Sequence, residues 1–105
     1  MIARIWHGWT TFRNASEYYE VLIDSVIPGI EQMDIPGFQK IDVLRRDLDT
    51  EVEFTTIMYF DSLENIKVFA GEDFETAHVP KEARDILKRW DSRSTHHQLL
   101  KSISQ

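Results

Sequence analysis

The chain has 105 residues, of which 42% are hydrophobic and 29% charged, with a formal net charge of −6 and no cysteine. That length is one domain spanning 1–105, and the composition is that of a packed chain, not a disordered one. An acidic chain without a Lys/Arg run argues against nucleic-acid binding, and the lack of cysteine excludes disulfides, thiolate nucleophiles, Cys-based zinc sites and iron–sulfur clusters.

Residues 2–11 hold Ile2, Ile5, Trp6, Trp9, Thr10 and Thr11, the β-branched and aromatic types of a strand. Ile2, Trp6 and Gly8 fall on one face, and Ala3, Ile5, His7 and Trp9 on the other. Neither face is polar, so both are expected to be covered. Asn14 with Glu17 three positions on reads as a capping box. Tyr18, Leu22, Val26 and Ile30 then mark a helical stripe, which Pro28-Gly29 should kink or end. Asp34-Ile35-Pro36-Gly37 is a turn. Residues 38–46 and 52–60 read as strands, and the link between them is too short for a crossover, so they form a hairpin.

Asp61 or Ser62 caps a helix carrying Leu63, Ile66, Val68 and Phe69, which stops near Gly71. Residues 72–79 suggest a short helical turn. Pro80 suits the first position of a further helix, with Ala83, Ile86, Leu87 and Trp90 at helical spacing. Residues 93–101 read as the last strand. The order is β-α-β-β-α-β, which right-handed crossovers fold into a ferredoxin-like α+β domain: an antiparallel sheet with helices on one face. The helix-free face would be a large apolar patch, best covered by a second copy of the chain. No charged segment leads into an apolar stretch, so no signal peptide is expected. No apolar run approaches the ~20 residues of a membrane helix, and a cytoplasmic homodimer is the expectation.

Several segments carry a resemblance. Met1-Ile2-Ala3-Arg4-Ile5-Trp6-His7-Gly8, Val43-Leu44-Arg45-Arg46-Asp47, Glu53-Phe54, Tyr59-Phe60-Asp61-Ser62-Leu63-Glu64 and Phe69-Ala70-Gly71-Glu72-Asp73 resemble the antibiotic biosynthesis monooxygenase family. The resemblance covers nearly the whole chain. It implies a dimeric α+β barrel and a monooxygenase that uses no cofactor. It equally admits a small-molecule-binding or stress-response dimer of that fold. Asp73-Phe74-Glu75-Thr76-Ala77-His78 is similar to the segment bearing the proximal histidine of heme-degrading members, which implies heme on His78 as an alternative. That branch also has an asparagine on the first strand and a tryptophan before the histidine. Here Trp6 or His7 and Val68 stand at those places. His78 can instead cap or line a helix end near a pocket mouth.

Cofactor-free oxygenation requires an ionisable, electron-rich substrate such as a phenol, a dry pocket, and groups that move a proton and steady negative charge. His7, Tyr59, His78 and His97 are the candidate catalytic residues, and Trp6, Trp9, Phe60, Phe69 and Phe74 the candidate aromatic walls for a small aromatic or polyketide-type molecule. His7 is expected near Tyr59 and near His96 or His97. Adjacent residues of a strand point to opposite faces, so His96 and His97 cannot share one pocket. Their spacing does not suit a metal, and none is expected. Arg45 and Arg46 suit an anionic substrate or a pairing across the hairpin with Glu51 or Glu53.

Overall fold

A computed structural model describes all 105 residues. Strand β1 (Ile2–Thr10) is followed by helix α1 (Ala15–Val21), a π-helical turn (Leu22–Val26) and α2 (Ile27–Gln32). Then come β2 (Phe38–Asp47), β3 (Val52–Phe60), α3 (Leu63–Ala70), the single turn α4 (Lys81–Arg84), β4 (Arg89–Trp90) and β5 (Thr95–Gln98). The sheet runs β2-β3-β1-β4, with β5 also on β1, and every pairing is antiparallel. This is the expected ferredoxin-like order, with its last strand split into two pieces along one edge of β1.

Pro28 does not end the helix. It sits in the first turn of α2, where its missing N–H leaves no gap in the ladder, and the π-helical turn before it absorbs the change of register. Asn14 makes no side-chain cap; its amide reaches the carbonyl of Ile86 instead. Ser62 does cap α3, accepting from the amide of Asn65 at 3.4 Å. Gly37 has a φ of 78°, and a Cβ there would collide with Asn65, so this turn before β2 needs glycine on two counts.

The expected helix through Trp90 is only one turn long. Lys88 donates its backbone N–H to the carbonyl of Trp9 at 2.8 Å, and Arg89 and Trp90 pair with Trp9 and Gly8. The free edge of β1 claims these residues, because a ladder partner outweighs an apolar spacing of four residues. The last strand likewise stops at Gln98.

The register sorts the sheet's two faces. Ile2, Arg4, Trp6, Gly8 and Thr10 stand opposite Phe60, Met58, Thr56, Phe54 and Val52 and face the helices. Ala3, Ile5, His7 and Trp9 stand opposite Tyr59, Ile57, Thr55 and Glu53 on the helix-free face, where all are half-buried. Two buried clusters fill the helix side. One joins Ala15, Tyr18, Leu22, Val52, Phe54, Ala83 and Leu87. The other joins Ile35, Met58, Phe60 and Ile66. Arg45 pairs with Asp47 and Arg46 with Glu53, exposed contacts worth under about 1 kcal/mol. No helix is long and apolar enough to cross a membrane.

Thr10 is fully buried, and its Oγ1 finds no partner. Thr10→Val replaces that hydroxyl with an isosteric methyl, so it should stabilise the fold by about 1 kcal/mol. Denaturant melts with an upward midpoint and an unchanged slope would record it.

Candidate functional site

Between the two clusters the helix side leaves a gap. There β1 and β3 present Arg4, Trp6 and Thr56 where full packing would need compact apolar groups. The result is a cavity of about 90 Å³, room for several waters or one compact ligand. Tyr18, Leu22, Val26 and Ile30 form its roof, Ile41, Thr56 and Met58 its floor, and Phe69, Ala77, His78, Val79 and Pro80 its open end.

Each polar group in this wall is positioned by the fold. The Trp6 ring folds along β1 over Gly8, where any Cβ would stand 2.7 Å from the ring. Its Nε1–H donates to the carbonyl of Asp91 at 2.9 Å, which fixes the ring as a wall. Tyr18 is 1% exposed and packs edge-on against Phe54 at 4.9 Å. Its hydroxyl makes no hydrogen bond to the protein, and Tyr18 lines the cavity. Burial pushes its pKa well above the usual tyrosine value, so it remains a donor at neutral pH. Arg4 is 5% exposed, and burial lowers its pKa, as expected of a desolvated cation. Its Nη1 donates to the carbonyl of Phe74 and meets His96 Nε2 at 2.8 Å.

His96 is held below its ordinary value of 6.5, first by desolvation and then by the Arg4 charge, against a smaller opposing pull from Glu75. A neutral His96 accepts from Arg4. An unfolded chain takes a proton near pH 6.5 that folded His96 refuses, so stability should fall as pH drops below about 6.5. His96→Gln should reduce that slope. Urea melts of both proteins at about pH 7.5 and 5.5 test it; equal slopes would reject the assignment.

The cavity gathers Trp6, Phe69 and His78 of the expected residues. Phe60 is fully buried in the second cluster, and Phe74 packs beside that cluster with His96 against its ring at 5.2 Å. Trp9, His7, Tyr59 and His97 lie on the opposite face of the sheet. There His97 bonds Thr95 Oγ1 at 3.0 Å, and Tyr59 receives the Lys40 ammonium at 4.8 Å. His7 binds Asp91 Oδ2 at 2.7 Å and stacks on Trp9. The expected closeness of His7 to Tyr59, His96 and His97 does not hold. Tyr59 and His97 both stand opposite Ala3, and His96 opposite Arg4. Ala3 is four residues along β1 from His7, about 13 Å of strand. Of the adjacent histidines it is His96 that turns to the helix side, because it pairs with Arg4.

His78 is exposed at the cavity mouth. Its Nε2–H donates to the carbonyl of Ala70, the last residue of α3, at 3.1 Å. That nitrogen is committed to closing a helix end, so His78 as placed does not fit the proximal ligand of a heme. No group of three or more His, Asp or Glu side chains is placed to hold a metal ion.

Comparison with known proteins agrees with the architecture. The chain is similar to the crystal structure of a Bacillus cereus protein described as a "putative antibiotic biosynthesis monooxygenase". The TM-score is 0.67 over 100% of this chain and 96% of that one, at 15% identity. The chain has the antibiotic biosynthesis monooxygenase-like fold. At that identity the likeness speaks for the fold and leaves the reaction to the residues of the site. No family model matches the chain, and no curated protein gives a significant match.

Proposed function

We propose that the chain is a cofactor-independent monooxygenase of a small aromatic or polyketide-type substrate, bound in the cavity between helices and sheet. The observation that carries this reading is the Tyr18 hydroxyl. It is a protonated donor without a protein partner, set in a wall of which eleven of sixteen residues are hydrophobic. Such a wall offers few competing polar partners, and a free donor there is aimed at whatever oxygen the ligand brings. An anthrone-type substrate meets that description. Losing a ring proton places negative charge on its oxygen, where Tyr18 donates. The carbanion carbon gives electrons to O2 and forms a C–O bond. Loss of water from the resulting hydroperoxide leaves a quinone, with one atom of O2 in the product and one in water.

The working unit in this reading is a cytoplasmic homodimer joined through the helix-free sheet face. That face carries Ile5, Trp9, Leu44, Ile57 and Tyr59 alongside Lys40, Asp42, Arg46 and Glu53. An apolar centre with both charge signs around it is self-complementary about a two-fold axis. Light scattering should return twice 12.4 kDa; a monomer would remove the dimer from the reading. Oxygen uptake with a panel of anthrones and hydroquinones tests the reaction. A flat trace across the panel, with ligand binding retained, would favour a binding module of the same fold.

A further inference from the structure

Arg4 is a buried cation without a counter-ion. No carboxylate lies within ion-pairing distance of it, although the chain's other ion pairs are numerous at the surface. Its partners are all neutral: the carbonyl of Phe74, His96 Nε2 at 2.8 Å, and the carbonyl of Thr76 at 3.4 Å. His96, held neutral, supplies no charge to offset it. A guanidinium has five N–H groups. Both on Nη1 and one on Nη2 are engaged, which leaves Nε–H and the second Nη2–H without an acceptor. The Phe69 ring lies 5.7 Å from the guanidinium carbon, so an aromatic wall stands next to the charge.

A guanidinium held by neutral partners, with two N–H groups that the protein does not engage, suits an anion of matching shape. We infer that the cavity takes a small aromatic carboxylate, its two oxygens received by the unengaged N–H groups of Arg4 and its ring laid against Phe69 and Trp6. This rests on the cavity being the ligand site, as proposed above, and adds the charge and shape of the ligand. The acid group is a handle that orients the ring. It is distinct from the oxygen that Tyr18 serves.

Benzoate and its neutral isostere benzamide separate the charge from the ring. Titration calorimetry on the intact protein should show benzoate binding roughly 30-fold or more tightly than benzamide. The Nε–H resonance of Arg4 should move on adding benzoate and not on adding benzamide. In Arg4→Met the preference for benzoate should vanish. Equal affinity for the two ligands, or a preference that survives in Arg4→Met, overturns the anion assignment while leaving the cavity reading in place. No binding of either ligand also overturns it, and oxygen uptake with neutral anthrones then judges the cavity reading by itself. The wild-type comparison decides the matter even if Arg4→Met does not fold.

Discussion

Phe54→Ala should destabilise the protein by about 3–5 kcal/mol, a large share of the roughly 5–15 kcal/mol that holds a domain together. Phe54 is 1% exposed at the centre of the larger cluster, between Tyr18 and Leu22 of the first helical region and Ala83 and Leu87 of the last. Two effects add. Truncation leaves a cavity that neighbouring β-strands cannot collapse into, because Phe54 is pinned opposite Gly8 on one side and Arg45 on the other. It also removes the edge-on contact with Tyr18, a geometry worth about 0.5–1.5 kcal/mol beyond burial. Denaturant melts should show the midpoint falling with little change of slope. Because Tyr18 lines the cavity, ligand affinity should fall in the same variant. A loss below about 1.5 kcal/mol would mean that the cluster is not the main core.

Much of this arrangement is legible in the residues. The alternation in β1, the helical stripe from Tyr18 to Ile30 and the short link between β2 and β3 set the order of elements. Local pattern and tertiary pairing agree there. The second half misleads because Ala83, Ile86, Leu87 and Trp90 satisfy a helical spacing while their backbone is wanted at the edge of β1. Nothing local to residues 83–90 announces that edge.

For the site, residue type alone singles out the aromatics and histidines, and of these Trp6, Phe69 and His78 line the cavity. Arg4 and Tyr18 were hidden for opposite reasons. Tyr18 sits on the apolar stripe and passes for core, which its ring is. Its free hydroxyl is visible only in three dimensions. Arg4 had a signal available: it shares a face with Ile2, Trp6 and Gly8. A cation on a face that must be covered calls for an explanation, because burying it unpaired is costly.

Tyr18→Phe should leave the fold intact and lower kcat by roughly 10²-fold on any substrate that gives a measurable oxygen trace. The substitution removes one oxygen and keeps the ring that packs on Phe54. The lost hydroxyl has no protein partner, so its removal orphans no protein group, and the melting midpoint should hold or rise. The rate is a different matter. When a substrate proton leaves, charge gathers on the ligand oxygen, and a mostly apolar wall offers few other groups to receive it. A donor already in place costs nothing to reorganise at that moment, which is why its loss falls on the transition state more than on binding. KM should therefore move far less than kcat. Burial keeps Tyr18 protonated, so the wild-type rate should show no alkaline fall from this group through about pH 9. If Tyr18→Phe turned over at the wild-type rate, the substrate's developing charge would have to be met elsewhere. Arg4 is the other unmet donor in the wall, and the double variant Tyr18→Phe/Arg4→Met would show whether the two share that charge.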